Sequence, residues 1–157
     1  MKVLLAIEDS EFSSEAIRKC GEIFGDSDKN EIRVVSAMER MFMPTEPFAV
    51  SAEYVERIDN ETEKNTEAVI KRAEAKIQTD YPLLAKNLTT ALLIGSPEQA
   101  IVEEAESWNA DLILLGSHGY GFWQRAVLGS VSNAVLHHAP CSVLIVRSAA
   151  AAAAKGQ

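Results

Sequence analysis

Five short stretches of the chain, 3–7, 32–37, 89–94, 112–115 and 143–146, are apolar almost throughout rather than alternating. Continuous apolarity over so few residues predicts strands covered on both faces. Between them the apolar positions recur at helical spacing. In 13–24 they are Ala16, Ile17, Cys20 and Ile23, and in 51–77 they are Val55, Ile58, Val69, Ala73 and Ile77. Ser96-Pro97-Glu98-Gln99 predicts an N-cap serine, a first-turn proline and a capping-box glutamine, opening a helix of about 97–108. Asn109-Ala110-Asp111 then turns the chain into the fourth strand, and 130–138 reads as a last helix that stops before Pro140. The order is five β-α units, an α/β fold with a parallel sheet joined by right-handed crossovers and helices on both faces. Such sheets bind ligands beyond the carboxyl ends of the strands, where the strand order reverses, so the loops after the first and fourth strands are the places to look. Residues 41–50, with Pro44 and Pro47, form the one long irregular connection, a lid or a mobile loop.

Composition narrows the picture. With 157 residues, 47% of them hydrophobic, a single domain is expected, able to bury its core without metal or disulfide support. Cys20 and Cys141 lack a CxxC spacing and read as ordinary buried thiols of a reducing compartment. The formal charge of -8 argues against nucleic acid, which demands clustered lysine and arginine. Residues 1–7 are apolar over too short a run for a signal-peptide core or a membrane span, so the cytoplasm is the expected location and no membrane partner is expected. Residues 1–148 are the expected domain and 149–157 an alanine-rich tail.

The candidate chemistry lies after the fourth strand, in Gly116-Ser117-His118-Gly119 and, further on, Gly129-Ser130-Val131-Ser132. Glycines open turns to the backbone and let a ligand approach peptide N–H groups, although they serve plain turns equally well. Gly129-Ser130 precedes the last helix, whose N-terminal N–H groups and positive dipole end suit a phosphate, with the hydroxyls of Ser130 and Ser132 as further donors. Neither a Walker A loop nor a GxGxxG dinucleotide fingerprint is present.

Gly116-x2-Gly119-x9-Gly129-Ser130 resembles the nucleotide-binding signature of the universal stress protein family. The likeness extends through 3–7 with Ser10 and Ser13, Gly95-Ser96-Pro97, 112–119 and 140–146, leaving 38–87 and the tail unmatched. It implies an adenine nucleotide alpha hydrolase-like fold with a five-stranded parallel sheet in the order 3-2-1-4-5, dimeric through the last strand. It also implies ATP, ADP or AMP as ligand. Carried over by position, Gly116, Ser117, His118, Gly119, Gly129, Ser130, Val131 and Ser132 would surround the phosphates, and backbone near Ala37 would meet the adenine. By the same resemblance Ile7 and Glu8, at the end of the first strand, would lie beside ribose and phosphates. The family carries Asp where this chain has Glu8. Glu8 is read as the ligand-facing carboxylate, reaching ribose or Mg2+ with a longer arm; the opposing reading is that it crowds the pocket. Asp9 is read as the N-cap of the first helix.

His118 is read first as an exposed loop histidine and second as a phosphate contact, and Arg125 as a bidentate phosphate contact or an exposed loop arginine. Phe122 and Trp123 are read as local packing, and His137 and His138 as cations at a helix C-terminus rather than a metal pair. No nucleophile beside a general base emerges, so slow ATP hydrolysis is the most chemistry expected. Three functions compete: a nucleotide-dependent stress or signalling module with an unknown protein partner, a dimeric interaction protein with a vestigial pocket, and a phosphorylatable receiver. The last lacks an Asp after the third strand and a Lys after the fifth.

Overall fold

The structure, a computed structural model, describes residues 1–41, 51–118 and 128–147. Its strands are β1 (Lys2–Ala6), β2 (Glu31–Met38), β3 (Leu88–Ile94), β4 (Leu112–Gly116) and β5 (Ser142–Val146). The helices are α1 (Glu11–Phe24), α2 (Ala52–Asp80), α3 (Pro97–Ser107) and α4 (Ser130–His138), with a 3-10 turn at Leu84–Asn87 before β3. All strand pairs are parallel and the sheet order is β3-β2-β1-β4-β5, as the resemblance implied.

Period-two alternation divides the core into two layers. Val3, Leu5, Ile32 and Val34 face α1 and α2, where they meet Ala16, Ile17, Cys20, Ala73 and Ile77. Leu4, Ala6, Val35, Ile113 and Leu115 face the opposite way onto Ile101 and Ala105 of α3 and Val135 of α4. Each large side chain fully withdrawn from water contributes about 1.5–3 kcal/mol, so the three central strands β2, β1 and β4 anchor the fold. Tyr81, which caps the C-terminal end of α2, lies in a notch on α1 formed by Gly21 and Gly25, and its hydroxyl donates to the Arg18 carbonyl at 3.3 Å.

Several expectations need correction. α1 starts at Glu11, and its N-cap is Ser10, whose Oγ accepts from Ser13 N–H at 3.2 Å; Asp9 does not cap it. Ser96 is the N-cap of α3 but makes no side-chain cap bond, and Gln99 turns the other way, donating to Glu103 at 2.6 Å instead of closing a capping box. Ile23, placed on the apolar side of α1, is 48% exposed, whereas Phe12, at the other end of the helix, is buried. The third and fifth strands are not covered on both faces, because they form the two edges of the sheet and stay half-exposed along most of their length. Cys20 is buried as expected, whereas Cys141 is partly exposed. Of the 41–50 connection only Met41 falls within the described residues; the alanine-rich tail lies outside them. No helix among the described residues is long and apolar enough to cross a membrane.

Candidate functional site at the strand-order switch

The strand order reverses between β1 and β4, which pair in register with Ala6 opposite Leu115. Ile7 leaves β1 with its N–H bonded to the Val35 carbonyl at 2.9 Å. The next turn is built by two serines. Ser13, itself buried, accepts from the Glu8 N–H at 2.8 Å, and Ser10 caps α1 and lies 3.3 Å from the Ser13 hydroxyl. Glu8 is half-buried where β1 opens into this turn. Asp9 points away to solvent and pairs with Arg72 of α2 at 2.9 Å.

Across the switch, the chain leaving β4 is pinned from three sides. Ser117 is fully buried; its N–H donates to the Val146 carbonyl at 2.8 Å, and its own carbonyl accepts from Gly129 N–H at 2.8 Å. Ser132 Oγ donates to the Gly116 carbonyl at 2.7 Å. These bonds fix the first turn of α4 beside the carboxyl end of β4, with Gly129 as N-cap in extended backbone and Ser130 exposed as the first helical residue. Val131 is half-buried behind it. Ser117 Oγ lies 3.1 Å from His118 Nδ1, and the His118 ring packs against Phe12 with centroids 5.3 Å apart. Ala37, opposite Leu93 near the end of β2, is half-buried at the same end of the sheet.

The structure thus brings Ile7, Glu8, Gly116, Ser117, His118, Gly129, Ser130, Val131 and Ser132 to one end of the sheet, with Ala37 one strand over. Gly119, Phe122, Trp123 and Arg125 lie outside the described residues. Two roles differ from the expectation. Gly116 has no left-handed backbone; its missing Cβ is required because an added one would come within 2.8 Å of Phe12 Cβ and 3.0 Å of the Phe12 main chain. Its smallness serves the approach of α1 to β4. The Ser132 hydroxyl, buried and donating to Gly116, gives its one proton to the fold rather than outward. Sequence reasoning missed Phe12 and Arg72, which carry no motif. The Ser10-x-x-Ser13 spacing, by contrast, is a readable helix-start signal.

Among the described residues no group of three or more His, Cys, Asp or Glu could hold a metal ion, so a Mg2+ here would take Glu8 as its protein carboxylate and draw its other ligands from phosphate and water. His137 and His138 close α4 at its exposed end, away from the switch. A shallow concavity lined by Glu53, Glu56, Arg57, Asn60, Glu61 and Lys64 follows the solvent face of the single helix α2; it has no convergent backbone donors and is not the candidate site.

The family model described as the universal stress protein family matches residues 1–147. A Staphylococcus epidermidis protein assigned to the universal stress proteins is 45% identical over 64 residues, 40% of this chain and 39% of its own length. The alignment therefore spans well under half of the curated relatives' length. Universal stress protein UspA from Lactobacillus plantarum superposes with a TM-score of 0.75 at 23% identity, covering 94% of this chain and 97% of that one. A universal stress protein family member from Arabidopsis thaliana, solved with AMP bound, superposes with a TM-score of 0.66 at 13% identity, covering 96% and 93%. At these identities the solved structures speak to the fold.

Proposed function

The chain belongs to the universal stress protein family, and on that premise we propose that it binds ATP or a related adenine nucleotide at the switch between β1 and β4, as a stress-response or signalling module. The supporting observation is the pinned junction of β4 and α4. There Gly129 N–H is bonded to the Ser117 carbonyl, which sets the start of α4 beside the carboxyl end of β4, and among the described residues no side chain caps it. A helix N-terminus with its dipole aimed at the switch point of a parallel sheet suits a phosphate chain. Glu8 would reach the ribose or a phosphate-bound Mg2+, Ser130 would donate its exposed hydroxyl, and backbone near Ala37 would meet the base. Gly119 and Arg125 belong to the same proposal through the glycine spacing. The AMP held by the Arabidopsis relative supports an adenine nucleotide as the ligand class.

The module acts in the cytoplasm as a homodimer through the β5 edge, where Val143, Leu144 and Ile145 stay half-exposed. Nucleotide occupancy would change a partner surface by binding one conformational state more tightly than another. The test is equilibrium binding of ATP to the wild type and to the Gly119→Val/Gly129→Val double variant. A loss of about tenfold or more in affinity is expected, and unchanged affinity would remove the site.

A second reading, a dimeric interaction protein with a vestigial pocket, draws on two observations. Phe12 packs closely against Gly116, and the Ser132 hydroxyl is spent internally. It predicts no thermal shift with ATP and Mg2+, whereas the binding reading predicts a rise that grows with nucleotide concentration.

A further inference from the structure

The two carboxylates that follow β1 are treated differently by the fold. Glu8 stays half-buried at the switch, while Asp9 is drawn outward onto the guanidinium of Arg72, 2.9 Å away, from the middle of α2. Both partners are well exposed, at 59% and 63% of the side chain, so the pair adds little to stability. Its consequence is electrostatic. Asp9 directly follows Glu8, so its backbone is about 3.8 Å from the residue at the switch, and its carboxylate would lie on the order of 10 Å from a phosphate held there. An uncompensated carboxylate at that range would repel a polyphosphate.

We infer that Arg72 is a specificity-determining residue of the site, neutralising Asp9 so that a nucleotide with a long, highly charged phosphate chain is accepted as readily as a monophosphate. The inference rests on the nucleotide reading above. ATP carries about two more negative charges than AMP, so it feels the loss of a nearby cation more strongly. Two extra charges at about 10 Å in water at low ionic strength correspond to about a threefold change in relative affinity, shrinking toward parity at about 0.15 M salt.

The experiment measures affinities for ATP, AMP and adenosine, without divalent cations and at low salt, on the intact chain. Arg72→Gln is expected to lower the ATP-to-AMP affinity ratio about threefold and leave adenosine unchanged. Arg72→Lys keeps the charge and the wild-type ratio. The Asp9→Asn/Arg72→Gln double variant, neutral at both positions, returns to that ratio. Lys86→Gln, which removes an exposed cation beside Asp28 at the opposite end of the sheet, controls for net charge and leaves the ratio unchanged. Equal losses for ATP and AMP in Arg72→Gln, or no change in either, would overturn the inference and leave the nucleotide site standing. A wild type that binds none of the three ligands would bring down both.

Discussion

At Gly116 the absent side chain is replaced by Phe12, and a Cβ there would press on the Phe12 main chain, which cannot swing aside as a flexible side chain could. Gly116→Ala is therefore expected to cost about 1–3 kcal/mol by forcing α1 away from β4, read as a lower urea midpoint at unchanged slope. Ser132→Ala removes the donor to the Gly116 carbonyl and leaves that buried acceptor unpaired, a loss of about 1–3 kcal/mol in the same assay. The thiols separate by environment. Burial pushes Cys20 up to about 12, and burial raises Cys141 as well, though that side chain is partly exposed. Because the folded state holds the Cys20 proton more tightly than the unfolded chain, this contribution to stability is complete below about pH 9 and drains away as the pH rises toward 12. Alkylation at pH 8 should modify Cys141 first and Cys20 only at the rate of unfolding; equal rates would contradict the packing of α1 on the sheet. At this scale the sequence was legible where a motif carried the signal, as at Gly129-Ser130. It was silent where a residue acts through a distant partner, as Phe12 does on Gly116 and Arg72 on Asp9.

Among the elements, the helices show where local signals suffice and where they mislead. Ser51 caps α2 by accepting from Tyr54 N–H, as its position before a helical repeat suggests. Ser96 has the same look but leaves its hydroxyl out of any cap bond, and the Gln99 side chain turns to Glu103 one turn further on. Apolar runs located all five strands, yet run composition alone could not tell edge from centre. The run 143–146 of β5 is as unbroken as that of β1 and still lies largely half in solvent, because its neighbour on one side is missing from the sheet. The dimer proposed above would form along the β5 edge. Leu136 on the adjoining α4 is 46% exposed, so Leu136→Lys should leave the fold intact while weakening the proposed dimer. Sedimentation velocity would read this as a shift toward monomer; an unchanged dimer would place the interface elsewhere.

For the molecule as a whole, the alternation of strands and helices already implied a parallel doubly covered sheet, and the strand order came from the family resemblance rather than from any local pattern. Chain order cannot report which strands are neighbours, since the crossover from β3 to β4 spans the whole of β2 and β1. Once that order is known, the site's position follows, because the carboxyl ends of β1 and β4 are the one place where neighbouring connections part to opposite faces. The central claim is that the amides there receive a nucleotide. The most direct measurement is a titration of isotopically labelled protein with ATP, following backbone amide resonances. Shifts are expected to concentrate at Ile7, Glu8, Ser117, His118, Gly129, Ser130 and Val131, with Lys2, Glu31 and Leu88 at the far end of the sheet unmoved. Shifts scattered over the exposed face of α2, or none at saturating nucleotide, would contradict it.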